Sequence, residues 1–230
     1  MSQCVILVGG LGTRLGEAAR LTPKPMLEVA GRPFLEYLLA KAARHGFREV
    51  LLLAGHRAEV IETWLSEAAV AAWLGVEIAV AREPAPLGTA GALAHARGRL
   101  ASDFLLVNGD TWFDFDWSGL TLGSADAALA LRQVAPADRY ETIVLDGGWV
   151  REIRPRQPDL AEGLINGGVY RLRRQALDGV EGVASLESEV LPRLAREGRL
   201  GGQSFDGAFI DIGIPESLQA AQALLGEAAE

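Results

Sequence analysis

Residues 9–26 read GGLGTRLGEAARLTPKPM and hold the side chains best suited to chemistry. Glycines directly after the apolar run Cys4–Val8 would let backbone N–H groups approach phosphate oxygens with no Cβ in the way. In that reading Gly9–Thr13 wraps a polyphosphate and Arg14 meets the charge on its outer phosphates. Lys24 stands between Pro23 and Pro25. The two rings fix their own φ and push Thr22 and Lys24 towards extended backbone, so little loop freedom is lost when the ammonium settles on a phosphate. Chemistry at phosphorus is the reaction type these residues suit.

Other phosphate-binding loops fit less well. The P-loop string G-x-x-x-x-G-K-[ST] is absent. A dinucleotide fingerprint needs G-x-G-x-x-G and an acid at the end of the second strand. Here Gly10 and Gly12 are followed by Gly16, one residue out of phase, and the second strand ends Ala54-Gly55-His56. A plain tight turn explains the glycines but neither Arg14 nor Lys24.

Such residues need strand ends to stand on, and the hydrophobic pattern supplies them. Cys4–Val8, Glu49–Gly55, Val76–Ala81 and Phe104–Asn108 read as strands, with Pro33–His45, Ala58–Ala68 and Thr89–Leu100 as helices. This alternation predicts a parallel sheet with helices on both faces. Further along, residues 126–134, 142–146, 149–153 and 164–172 are strand-like, with Asp146-Gly147-Gly148 as a hairpin turn. Helices follow at Ser185–Glu197 and Pro215–Leu225. The expectation is one α/β domain over residues 1–230, its mixed sheet mostly parallel with antiparallel additions in the second half. Ligands of such sheets bind at the carboxyl ends of the strands, so the loops after Val8 and Asn108 and the strand before Asp211 should converge.

Composition narrows the classes. A chain that is 49% hydrophobic can bury a core, and a net charge of −8 argues against nucleic acid as a partner. Cys4 is alone, which fits a buried thiol and excludes an internal disulfide. No run approaches ~18 apolar residues and no signal peptide is visible, so the expected setting is the cytoplasm, with no membrane partner. Trp64, Trp73, Trp112 and Trp117 are expected in the core, and Asp114 and Asp116 as turn or cap residues. The three histidines share no metal-ligand spacing.

The strings GGLGTRL at Gly9–Leu15 and PKPM at Pro23–Met26 resemble the signature of sugar-1-phosphate nucleotidyltransferases. The similarity continues through Glu83–Leu93, Val107–Asp110, Asp138–Tyr140, Ile165–Tyr170 and Asp211–Leu218. The resemblance implies a Rossmann-like three-layer α/β/α fold, and a reaction in which a sugar 1-phosphate attacks the α-phosphorus of a nucleoside triphosphate and pyrophosphate leaves. It implies Arg14, Lys24 and Asp110 as catalytic residues, with Mg2+ held by Asp110 and Asp211; whether one ion or two is left open. It further implies Leu7, Val8, Gly9, Gly10, Gly12, Thr13, Glu83, Gly88 and Thr89 at the nucleotide. Asn108, Gly109, Arg154, Asn166, Gly167 and Glu187 fall at the sugar phosphate. The C-terminal β-helix of many relatives is not expected here.

Glu83 stands where thymidylyl members carry glutamine. A carboxylate only accepts hydrogen bonds, which suits the N1–H and 2-amino donors of guanine better than the single N3–H of uracil or thymine. GTP is therefore the favoured nucleotide. The sugar side departs from the family pattern: Glu141 stands in place of a glycine, and Ile153-Arg154-Pro155 in place of E-K-P. Within the family the chain most resembles small guanylyltransferases that act on D-glycero-α-D-manno-heptose 1-phosphate. Mannose 1-phosphate, or uridylyl or cytidylyl transfer, stays open as an alternative. A catalytically silent sensor subunit is disfavoured by the joint presence of Arg14, Lys24, Asp110 and Asp211. The oligomeric state is not readable, and a homodimer is left open.

Overall fold

A computed structural model of the chain describes residues 3–10 and 22–227. Thirteen strands are present among them: β1 (Gln3–Leu7), β2 (Glu28–Val29), β3 (Arg32–Pro33), β4 (Glu49–Ala54), β5 (Glu77–Arg82), β6 (Asp103–Asn108), β7 (Thr111–Phe113), β8 (Ala127–Val134), β9 (Thr142–Asp146), β10 (Trp149–Arg154), β11 (Gly163–Arg173), β12 (Leu200–Ser204) and β13 (Phe209–Asp211). The α-helices are α1 (Phe34–Arg44), α2 (Ala58–Glu67), α3 (Val70–Leu74), α4 (Gly88–His95), α5 (Leu191–Arg196) and α6 (Pro215–Glu227). None is long and apolar enough to cross a membrane. The chain divides into two compact units, one of Met1–Pro86, Val107–Trp112 and Ile210–Glu230, the other of Leu87–Leu106 and Phe113–Phe209.

In the first unit β5, β4 and β1 lie side by side and parallel, with Leu7 opposite Leu53 and Ala54 opposite Arg82. β1 and β4 are apolar on both faces because both faces are covered, as parallel strands require. Helix α1 buries Phe34, Leu35, Leu38 and Leu39 completely. Each contributes about 2 kcal/mol of burial, and truncating Leu38 to alanine would cost about 2–5 kcal/mol. Cys4 is fully buried, as expected.

The second unit holds β11, β8, β12, β10 and β9 in that order, and β9 returns to pair with β11, so the five strands form a ring. Only β8 and β12 run parallel. The Asp146-Gly147-Gly148 hairpin joins β9 to β10 as expected, with both glycines at positive φ. β11 changes register against β8 between Asn166 and Tyr170. Gly168 sits inside this bulge at φ +71°, a left-handed backbone that glycine takes without strain.

Several expectations need correction. Lys24 opens a 3-10 turn, Lys24–Met26, instead of lying extended; Met26 N–H and Leu27 N–H close it on the carbonyls of Pro23 and Lys24. The helix expected over Thr89–Leu100 stops at His95, and a 3-10 turn through Gly98 follows. The segment Ser185–Glu197 starts as a π-helical turn, Leu186–Val190, because Pro192 has no N–H to continue an α-helix backwards. Trp117 and Trp112 are buried, whereas Trp73 is 55% exposed at the end of the five-residue helix α3, too short to cover it. Asp116 is the expected cap, accepting from Ser118 N–H at 2.9 Å.

Candidate active site

The first unit brings three predicted residues together. Lys24 Nζ donates to Asp110 Oδ2 at 2.9 Å, a pair joining residues 86 apart in sequence. Lys24 reaches it because the 3-10 turn buries it to 8% exposure, while Asp110 follows strand β6, whose middle residues Phe104–Val107 are apolar and fully buried. Ile212 N–H donates to the Asp110 carbonyl at 2.8 Å, which brings the end of β13, and with it Asp211, beside Asp110. Asp211 Oδ1 accepts from Gly213 N–H at 3.1 Å. A Cβ on Gly213 would lie 2.7 Å from Asp211 Oδ1 and 3.8 Å from Lys24 Nζ, so the residue must be glycine for the carboxylate and the ammonium to share this space.

The glycine approach lies in the same unit. Val8 N–H bonds Leu53 O and Gly109 N–H bonds Leu7 O, each at 2.9 Å, which gathers the ends of β1, β4 and β6. Gly109 passes so close to the Leu7 carbonyl that a side chain would overlap it. Glu83, one residue beyond β5, turns its carboxylate over the glycines: Oε1 is 2.6 Å from where a Gly9 Cβ would stand, and 3.2 Å from that of Gly55. Gly10 is exposed with open space around it. Arg14, Gly12 and Thr13 lie outside the described residues. The loops after Val8 and Asn108 and the strand before Asp211 thus converge as expected.

Two neighbouring carboxylates at strand ends, with a cation already against one of them, suit a divalent ion. Magnesium binds through one or two carboxylates and completes its shell with water and substrate phosphates. Among the described residues no cluster of three metal-ligating side chains occurs.

The second unit assembles another group of predicted residues around Glu187. Its Oε2 accepts from Thr89 Oγ1 at 2.6 Å and from Ser185 Oγ at 3.3 Å, and its Oε1 from the Tyr170 hydroxyl at 3.4 Å. Asn166 Nδ2 donates to that hydroxyl at 3.0 Å, and Asn166 Oδ1 accepts from Gly168 N–H at 3.1 Å. Gly167 is buried, with Phe113 where its side chain would be. Gly88 has φ +73°, and the next free amides of α4, Ala90 and Gly91, already donate to Ala184 O. Arg154 is exposed and pairs with Glu152 at 2.9 Å; it faces Thr142 across one edge of β9 while Ile165, next to Asn166, faces it across the other. Sequence reasoning missed Gly55, Gly213 and Tyr170. The string Asp211-Ile212-Gly213 was a usable signal for one of them; nothing local marks Tyr170, which only the β11 bulge brings to Asn166.

An α/β sheet whose strand ends gather a buried lysine, two aspartates and a glycine-lined approach defines a nucleotide-handling α/β enzyme. The nucleotidyl transferase family model matches residues 3–227, and the chain belongs to that family. It is 35% identical to a D-glycero-alpha-D-manno-heptose 1-phosphate guanylyltransferase of Campylobacter jejuni over 93% of this chain and 96% of that relative. It is 32% identical to mannose-1-phosphate guanylyltransferase catalytic subunit beta of Drosophila melanogaster, over 94% of this chain but 60% of that one. HddC from Yersinia pseudotuberculosis, solved in complex with GMP-PN, superposes with a TM-score of 0.86 at 30% identity, covering 98% of this chain and all of that one.

Proposed function

We propose that the chain transfers GMP from GTP to D-glycero-α-D-manno-heptose 1-phosphate, giving the GDP-sugar and pyrophosphate for surface-glycan synthesis. The observation that carries this is the meeting of Lys24, Asp110 and Asp211 at the strand ends. The heptose assignment is supported by a relative matched over 96% of its length, where the mannose relative is matched over 60%. Residues 1–230 act as one catalytic domain, in the cytoplasm, where nucleoside triphosphates are supplied.

An oxygen of the sugar phosphate attacks the α-phosphorus. A new P–O bond forms, the α–β bridging P–O bond breaks, and pyrophosphate leaves with the electron pair. The nucleophile is already anionic, so no base is needed; the barrier is charge repulsion and alignment. Lys24 supplies fixed positive charge, and its buried stem means little reorganisation as charge shifts. Arg14 takes the triphosphate tail. Leu7, Val8, Gly9, Gly10, Gly12, Thr13, Gly88 and Thr89 serve the nucleotide. Glu83 accepts the guanine N1–H and 2-amino protons. Asn108, Gly109, Arg154, Asn166, Gly167 and Glu187 serve the sugar phosphate. Asp110 and Asp211 would hold Mg2+, which when bound supplies Lewis-acid neutralisation of phosphate charge.

The test is pyrophosphate release from five nucleoside triphosphates against heptose, mannose and glucose 1-phosphates, with and without Mg2+. Release requiring Mg2+, highest with GTP and at least tenfold more efficient with the heptose than with mannose, is expected. Preference for mannose 1-phosphate moves the assignment to that sugar, and silence with every pair overturns the enzyme reading.

A further inference from the structure

We infer that Tyr170 is a positioning residue for sugar recognition, its hydroxyl locking Asn166 and Glu187 into one donor–acceptor unit. This rests on the proposed roles of Asn166 and Glu187 at the sugar.

The proton directions in this network follow from chemistry. A carboxylate only accepts, and backbone and carboxamide N–H groups only donate. Thr89 Oγ1 accepts from Leu186 N–H at 2.7 Å, and Ser185 Oγ accepts from Ser188 N–H at 3.1 Å. The Tyr170 hydroxyl accepts from Asn166. Each hydroxyl therefore has one proton left, and each must send it to Glu187. Three of the carboxylate's roughly four acceptor positions are taken in this way among the described residues. The fourth lies on Oε1, the oxygen held only by the long Tyr170 bond and hence the one able to turn to a ligand hydroxyl.

Asn166 is fixed by the same logic. Gly168 N–H identifies its Oδ1 and Tyr170 takes one Nδ2–H, so the second Nδ2–H is the donor offered to a ligand. Tyr170 itself is 0% exposed, so its ring cannot contact substrate. It acts through its neighbours, and the β11 bulge between Asn166 and Tyr170 is what brings the two side chains together. The result is one donor and one acceptor held in fixed relation, suited to a pair of sugar hydroxyls.

Tyr170→Phe tests this, because the ring still fills its place and only the hydroxyl is lost. Rates are measured with varied heptose 1-phosphate at saturating GTP, then the reverse, for Y170F, N166A, E187Q and the double variant Y170F/N166A, with a thermal midpoint for each. Y170F should raise KM for the sugar phosphate about five- to tenfold and leave KM for GTP within twofold. The double variant should raise the sugar KM by less than the product of the two single effects, since part of what Tyr170 does passes through Asn166. If N166A and E187Q raise the sugar KM and Y170F does not, or Y170F raises both KM values alike, the inference is overturned while the site reading stands. If none of the variants moves the sugar KM, the roles of Asn166 and Glu187 fall and the inference with them.

Discussion

Replacing Lys24 by alanine removes the ammonium that lies 2.9 Å from Asp110 Oδ2, where the two side chains are 9% and 35% exposed. At that separation the attraction is ~6 kcal/mol for an effective dielectric of about 20 and ~1.4 kcal/mol in bulk water. Desolvating the ammonium and ordering its stem offset most of this, so the net stability lost is about 1–2 kcal/mol. For a chain of this size that is a fall of roughly 2–8 °C in the thermal midpoint. Turnover should suffer more. Removing one preorganised charge aimed at developing negative charge costs about 10²–10³ in kcat, or ~3–4 kcal/mol. The assay pairs initial rates of pyrophosphate release, at saturating GTP and heptose 1-phosphate, with thermal unfolding of the same sample. A variant whose midpoint falls while kcat stays within about threefold of wild type would refute the reasoning. Lys24 would then be a structural partner of Asp110 and no more.

Other expectations follow from the same geometry. Glu83→Gln should lower kcat/KM for GTP about tenfold or more and narrow its advantage over UTP, because an amide puts an NH2 donor where the carboxylate has its second accepting oxygen; mixed-nucleotide competition reads this directly, and an unchanged preference argues against the base assignment. Gly109→Ala should lower the thermal midpoint by more than about 5 °C or abolish folded yield, since its methyl would overlap the Leu7 carbonyl and sit 3.1 Å from Val8 Cγ1. Gly10→Ala, with nothing within 4 Å of the new methyl, should hold the wild-type midpoint while raising KM for GTP. Asp126→Ala should cost ~2–3 kcal/mol, because this 5% exposed residue accepts from Gln175 at 2.7 Å and pairs with Arg199; KM for both substrates should not move.

Much of the fold was legible because apolar runs and their periods survive in one dimension. β1, β4 and β6 are legible to within about a residue, since strands buried on both faces need unbroken apolar stretches. β12 was not, because Leu200-Gly201-Gly202-Gln203-Ser204 has no such run and becomes a strand only by pairing with β8. The two-residue strands β2 and β3 and the short helix α3 carry too few residues for any period to show. The backbone of Lys24 departs from its sequence preference for a related reason: the extended bias of a residue before proline gives way to the turn that buries the lysine.

The candidate site divides in the same way. By itself the sequence determined the chemical inventory, a glycine bend after a strand, a proline-flanked lysine, and aspartates and a glutamate at strand ends, because residue type and strand polarity are local properties. Only the tertiary structure decided that Lys24 meets Asp110, that Glu83 leans over Gly9 and Gly55, and that Thr89 bonds Glu187 from 98 residues away. It alone decided that Tyr170 ties Asn166 to Glu187. Such pairings depend on strand order, on register and on one bulge in β11. Each is settled by long-range packing, and the types of the residues that meet do not encode it.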